Sequence, residues 1–472
     1  MAMKKEATIM NINDTEPVDK HNLAYLIMFY LGLGNLLPWN AFITAAGYFT
    51  ARFCGTNFVD TFENYFSFSF TIAQTIGLAS SIMYQDNMKL SKKIVYPLIF
   101  YSIIFGVTTL LVAITMSGDS LFGVTLLSTA LCGLCGATLS AGLFGLGALF
   151  PAAYTGALMN GQALAGFLIS LASLLTTLGG KNMACTDDDG SNDDGSCEED
   201  IDYSALAYFI IATFVLISCI FLFIALQKLE FTKYYISRSE ANNERVTKLT
   251  SDDLTEALLG INVMEENIVS PLHGGSMDKS NDKSNKKLMD FASIMKVFNV
   301  IKIPALSVMF VFVVSIGIFP SLFVLVESTQ KCKTSNRFYD DLFIPFMFTL
   351  FNLFDFIGRV TAGSTKPLFT RDNIWMASVG RIIFVPLVLL CNISNSQLPT
   401  VFTNDAFPII FMMIFAFTNG YVASNCMMYG ATMVAPVDAS LAGAIMIFCL
   451  TFGLFLGACT SFIVILISQG SM

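Results

Sequence analysis

Between Ser120 and Gly180 the chain carries no Asp, Glu, Lys or Arg. A run with so little reason to meet water belongs in a bilayer, yet it is roughly twice the ~20 residues that one crossing helix needs. It must therefore fold as two antiparallel helices, and Phe150–Pro151, with Gly156 close behind, is where proline ends the first. The rest of the chain agrees: 54% of the 472 residues are hydrophobic and only 13% charged, with a mean hydropathy of +0.66. A soluble domain carries about 25% charged residues, so this is an all-α polytopic membrane protein. The net charge of −9 sits in loops and tails and says little about partners.

Apolar windows of spanning length fall at 22–51, 62–85, 94–117, 121–149, 157–180 and 203–227, then at 299–327, 342–365, 374–393, 406–433 and 439–467. That makes eleven transmembrane helices, six and five. A polar tail (1–21) precedes an N-terminal bundle (22–227), a linker (228–298) and a C-terminal bundle (299–472). No cleavable leader is read in the tail. The linker holds HGGSMDKSNDKSNKK and few aromatics, so it reads as largely disordered.

Basic residues orient the array. Lys4, Lys5, Lys20, Lys89, Lys92, Lys93, Lys366, Arg371 and the linker's lysines and arginines fall on one side, against Arg52, Lys181, Lys331, Lys333 and Arg337 on the other. The N-terminus is expected inside and the C-terminus outside. Of eleven cysteines, Cys185 and Cys197 bracket an acidic loop on the outer side, where oxidising conditions permit a disulfide. That loop lacks the glycine frame of a calcium site, and Cys132 and Cys135 lie in an apolar helix where packing outweighs a redox role.

Enzymatic chemistry thins out at once. The only histidines, His21 and His273, lie in polar segments, which removes histidine-ligated metals and histidine triads from the bundle; no GxxxxGK[ST] is present. No cofactor and no nucleic-acid partner is expected. Glycines 142, 145 and 147, and Gly453 with Gly457, read as close helix contacts.

The charged residues that do enter spans are the informative ones. Asp355 and Arg359 stand four apart in an otherwise charge-free run from Leu342 to Gly363. Each costs about 2.5 to 3.5 kcal/mol at mid-bilayer on insertion scales, and at i, i+4 they can reach one another. Two readings are open, a substrate site or a lock between helices. Polar residues in other spans, among them Asn35, Trp39, Asn40, Gln74, Ser140, Asn160, Asn352 and Asn419, spread over both halves as around a midplane site. The asparagines read equally as interhelical hydrogen-bond partners, worth about 0.6 to 2 kcal/mol each. A faint repeat places Gly34 before Pro38 and Gly317 before Pro320, each partway along the first span of its half, and Gly/Pro interruptions at corresponding positions point toward a transporter's substrate region.

The segments GLGNLLPWNAFITAAGYF (32–49), AGLFGLGALFPAAYTGALMNGQALAG (141–166), FNLFDFIGRVTAG (351–363), RIIFVPLVLLCNI (381–393) and NGYVASNCMMYG with LAGAIM (419–446) resemble the equilibrative nucleoside transporters. The resemblance implies a major-facilitator-like fold with alternating access, and a facilitative carrier of purine and pyrimidine nucleosides in the plasma membrane. By position, Asp355 and Arg359 are similar to the family pair that engages the ribose hydroxyls, Asn352 lies one turn before them, and Leu36, Trp39 and Ile43 match residues lining the cavity. The chemistry agrees, because a carboxylate accepts from vicinal hydroxyls while a guanidinium donates beside it. Phe319 is expected to offer an apolar face to a nucleobase.

One position departs from the family pattern. Ser140 stands where many members carry a glutamine, and Gln74 stands where a relative is apolar, so an amide from across the cavity is expected to shift base preference. A same-fold carrier of nucleobases or organic cations stays open on that ground. So does proton coupling through Glu63 or Asp355, the only carboxylates placed well within spans, with Glu63 near the outer, solvated end. Nothing in the sequence separates the plasma membrane from endosomal or vacuolar membranes, and no obligate protein partner is evident. Asn392-Ile-Ser is a glycosylation sequon close to the end of span nine.

Overall fold

A computed structural model describes residues 16–59, 61–84, 89–112, 114, 116–180, 203–241, 291–334, 336–394 and 396–469. Among them the chain is helical, and ten helices are long and apolar enough to cross a membrane. In the first half these are α1 (Leu23–Thr44), continued by the short α2 (Ala46–Arg52), then α3 (Phe62–Met83), α4 (Leu90–Val112), α5 (Gly118–Leu149), α6 (Ala152–Gly179) and α7 (Tyr203–Lys228). The charge-free run divides at Phe150–Pro151 as the proline requires.

The segment after α7 begins as helix. α8 (230–241) lays Phe231 and Tyr235 against Phe150 and Tyr154, with ring centroids 4.9 to 5.6 Å apart. Of the rest of the linker expected at 228–298, residues 291–298 are helical, and 242–290 lie outside the described residues, as do Cys185 and Cys197. Asp19 ties the end of the tail down, accepting from the amides of Ala24 and Tyr25 and from the Tyr154 hydroxyl at 3.0 Å each.

The second half holds α9 (Phe291–Ile318), α10 (Phe343–Ser364), α11 (Ile374–Gly380), α12 (Phe384–Leu389), α13 (Ala406–Thr432) and α14 (Ala439–Gln469). Two expectations are corrected here. Gly317 and Pro320 do not interrupt a helix partway, because α9 ends at Ile318 and Pro320 follows it; proline has no N–H for the carbonyl a turn back. The span expected at 374–393 is not one helix but α11, a tight 3-10 turn at Arg381–Ile383, and α12. Pro386, which cannot donate to Ile382 and crowds it, accounts for the break.

Close backbone approaches at glycines organise the halves. A Cβ on Gly161 would stand 1.9 Å from the Phe29 carbonyl and one on Gly32 2.2 Å from that of Leu158, so α1 and α6 touch backbone to backbone. A Cβ on Gly420 would stand 2.0 Å from the Asp355 carbonyl and one on Gly358 2.2 Å from that of Phe417, the same contact between α10 and α13. Gly453 packs against the Met309 carbonyl in the same manner, seating α14 on α9. Across the halves, α6 meets α10, and α14 meets α3 and α5. Cys132 and Cys135 are free thiols in the packed wall of α5.

Candidate functional site

Asp355 and Arg359 lie on the buried face of α10, where α6 and α13 converge. Arg359 donates through Nε to Asp355 Oδ2 at 2.8 Å, and both side chains are buried. The second carboxylate oxygen, Oδ1, accepts from Asn419 Nδ2 at 2.6 Å. The α10–α13 contact at Gly420 brings that asparagine within reach, since any larger residue would push the two backbones apart. Arg359 Nη1 spans the two halves, pointing at the Met159 carbonyl on α6 at 3.4 Å and at its sulfur at 3.8 Å. Its Nη2 has no protein partner among the described residues.

Behind Asn419 stands an arginine that the hydropathy windows passed over. Arg381, 2% exposed, turns inward from the break between α11 and α12. Its Nη1 donates to the Phe415 carbonyl at 2.9 Å and to Thr418 Oγ1 at 2.8 Å, and its Nη2 to Ser315 Oγ at 2.7 Å. The guanidinium lies over the Phe415 ring, 4.6 Å from its centroid. Ser315 Oγ is 2.6 Å from Asn419 Oδ1, and Arg381 Nη2 is 3.5 Å from that same oxygen. An unbroken polar chain thus runs from Arg381 through Ser315 and Asn419 to Asp355. Arg381 is the only charged residue between Ile374 and Asn404, and that isolation was the signal available in the sequence.

The other expected site residues fall into separate neighbourhoods. Asn352 sits one turn before Asp355, donates to the Phe348 carbonyl at 2.9 Å and leans toward Gly166 of α6. Phe319 is not a free face: its ring stacks on Phe351 at 3.9 Å and tilts against Phe348 at 4.8 Å, within the C-terminal core. Trp39 stacks on Phe70 of α3 at 4.4 Å. Leu36 and Trp39 are half-buried on α1, while Ile43 on the same face is 52% exposed. Ser140 is engaged by Asn35, whose amide nitrogen donates to the hydroxyl at 3.0 Å while Oδ1 lies 3.2 Å from it. Gln74 is half-buried with no side-chain hydrogen bond among the described residues. Glu63 is exposed in the first turn of α3. The Asn392 amide of the sequon is engaged by the Glu327 carbonyl at 3.0 Å.

Among the described residues no group of three or more metal-ligating side chains comes together. Among the described residues the arrangement offers acceptors, donors and aromatic faces.

In sequence and in fold the chain is similar to known proteins. The family model described as Nucleoside transporter matches residues 126–466. The chain is 35% identical to equilibrative nucleoside transporter 1 of Homo sapiens, over 95% of this chain and 98% of the relative, and 30% identical to equilibrative nucleoside transporter 2 of Homo sapiens over the same shares. In fold it is similar to a proton:xylose symporter of the major facilitator superfamily, with a TM-score of 0.58 at 9% identity, covering 93% of this chain and 88% of the other.

Proposed function

This chain belongs to the equilibrative nucleoside transporter family, and from that premise we propose that Asp355 and Arg359 hold the ribose of a nucleoside carried through the bundle. The protein is an integral membrane transporter, not an enzyme, and it moves nucleosides down their gradient by alternating access. The carrying observation is the half-used carboxylate. Asp355 receives one donor on each oxygen, from Arg359 and from Asn419. A carboxylate has room for about four, so each oxygen keeps a place for one of two vicinal hydroxyls. Arg359 Nη2 is the free donor beside them.

On this reading Trp39, backed by Phe70, and Leu36 and Ile43 form the apolar wall against the base. The Phe319–Phe351 stack supports the site from behind Asn352. Base preference falls to Ser140 and Gln74, with Ser140 held by Asn35. The double substitution Ser140→Gln with Gln74→Leu is expected to change relative purine and pyrimidine affinity, and unchanged selectivity would sink that assignment.

The proposed topology has eleven crossings, with 374–393 as a broken ninth, the N-terminus inside and the C-terminus outside. The distribution of basic residues supports it, and so does the chemistry of Cys54 and Cys332, both disulfide-bonded and both in loops assigned to the oxidising side. The plasma membrane is the proposed location.

Counterflow in proteoliposomes tests the cargo. Vesicles preloaded with unlabelled uridine are expected to accumulate labelled uridine transiently, without accumulating labelled uracil or an organic cation when preloaded with those. Exchange of uracil or the cation without exchange of uridine would replace the nucleoside reading.

A further inference from the structure

We propose that Arg381 is a positioning residue for Asp355, acting through Ser315 and Asn419, and that it thereby sets how strongly transport depends on the ribose hydroxyls; this rests on the ribose reading of Asp355. Arg381 does not touch the carboxylate. Its effect passes through the amide of Asn419, which can be seated in two orientations differing by a half turn. Only one offers Nδ2 to Asp355 Oδ1, at 2.6 Å. The other would press Oδ1 against a carboxylate oxygen, acceptor to acceptor.

The environment of Oδ1 decides between them. Ser315 Oγ accepts from Arg381 Nη2 at 2.7 Å, so its own proton is available to Asn419 Oδ1 at 2.6 Å or to the Val311 carbonyl at 2.7 Å. Arg381 Nη2 also faces Oδ1 directly at 3.5 Å. Ser315 can donate to an oxygen there, and the guanidinium, which is all donor, rejects an NH2 group. Asn419 is thereby fixed with its nitrogen toward Asp355. That bond orients the carboxylate.

The position of Arg381 is itself specified. It is held from α13 by the Phe415 carbonyl, Thr418 Oγ1 and the Phe415 ring, and the break before Pro386 aims it inward. A simple brace between α11 and α13 would need only the Phe415 and Thr418 contacts. The Nη2 arm toward Ser315 and Asn419 is what links it to the site.

The full-length protein in proteoliposomes gives the test, with KM and Vmax measured for uridine and for 2′,3′-dideoxyuridine. Arg381→Met is expected to raise the uridine KM by about tenfold, the size of one charge-assisted hydrogen bond, while the dideoxyuridine KM stays within about twofold, so the preference for ribose shrinks. Arg381→Lys, which restores a donor to Ser315, is expected to recover part of it. Equal loss on both substrates with the preference intact would make Arg381 a brace and overturn the proposal. If Arg381→Met does not reach the membrane, Ser315→Ala interrupts the same chain with little change in volume and is held to the same two outcomes. Asp355→Asn in the same assay separates the two layers. A normal ribose preference there would remove the ribose reading itself, whereas a lost preference there with an intact one in Arg381→Met and Ser315→Ala would remove only the role of Arg381.

Discussion

Among the described residues two arginine–aspartate pairs at i, i+4 differ in order, burial and completeness. Arg337–Asp341, in the loop before α10, is closed at 2.5 Å with the side chains 29% and 14% exposed; Asp355–Arg359, within α10, is closed at 2.8 Å with 7% and 9%. The rim arginine is saturated, while Asp341, like Asp355, takes one side-chain donor on each oxygen. Arg337 bonds both oxygens of Asp341, through Nε at 3.3 Å and Nη2, and spends its other donors on the carbonyls of Thr177, Leu178 and Gly180 at the end of α6. These carbonyls stand at the negative end of the helix, where Thr177 also accepts from the Gly180 amide at 3.2 Å. The buried pair is monodentate, with one guanidinium nitrogen and part of each carboxylate oxygen unspent, although unpaired polar groups cost most where water is absent. The contrast lies in the arginines: Arg337 spends every nitrogen on protein acceptors, whereas Arg359 holds Nη2 back.

Breaking the buried pair is expected to have the largest effect. Asp355→Asn leaves Arg359 uncompensated, and uncoupling a buried pair costs about 3 to 5 kcal/mol. Uridine uptake is expected to fall at least a hundredfold per molecule at the surface, measured against surface-labelled protein. Retention of uptake above a tenth of the wild-type rate would place the pair with the rim pair, as a lock between helices. The next effect belongs to the helix contact beneath it. Gly420→Ala would set a methyl 2.0 Å from the Asp355 carbonyl. Overpacking of this kind costs about 1 to 3 kcal/mol, so a drop of several degrees in melting temperature is expected, together with a reduced uridine affinity as Asn419 retreats from Asp355.

How much of this was legible in the sequence follows from the same contrast. Asp355 and Arg359 stood out because each is a charge in a run that has none, and the family motif around them agreed. Arg381 is just as isolated, but an averaged window over 374–393 absorbs one arginine among many apolar residues, and the break at Pro386 that turns it inward is a local matter. Ser315 was hidden because a helical serine ordinarily bonds back to its own backbone, and this one also lies within reach of Val311. Met159 contributes a carbonyl, which no side-chain identity discloses. Phe319 was legible as an aromatic near the site but not as one already stacked, since stacking partners come from tertiary packing. The loop-borne Arg337 looked like an ordinary outer-side charge; its role depends on where α6 ends relative to α10.

Removing the rim arginine is expected to do less than either buried change. Arg337→Ala uncaps α6 and unties a link between the two halves, yet water can replace its hydrogen bonds. The uridine KM is expected to stay within about threefold of wild type, with a melting temperature lower by a few degrees at most. A loss of transport comparable to that of Asp355→Asn would show that the rim pair, too, is needed for function, and the distinction between the pairs would fail.

The smallest effect is the most diagnostic of the rim pair's chemistry. The Asp341 carboxyl is held below its ordinary value, first by the hydrogen bonds from Arg337, with burial opposing and the arginine's charge assisting. The Arg337 guanidinium is correspondingly raised by its hydrogen bond to Asp341. A carboxyl depressed in the folded state binds its proton more readily when unfolded. Its contribution is therefore full above the unfolded value of about 4 and is lost as pH falls through the lower folded value. Arg337→Ala removes the partner and with it that dependence. The gap in melting temperature between wild type and Arg337→Ala is thus expected to be constant from about pH 7 to 5 and to narrow below about pH 4. Raised salt should narrow it at any pH, because a half-exposed pair is screened within about 10 Å at 0.1 M. A gap indifferent to both acid and salt would assign the effect to the capped carbonyls of α6 alone, with Asp341 serving only to aim the guanidinium at them.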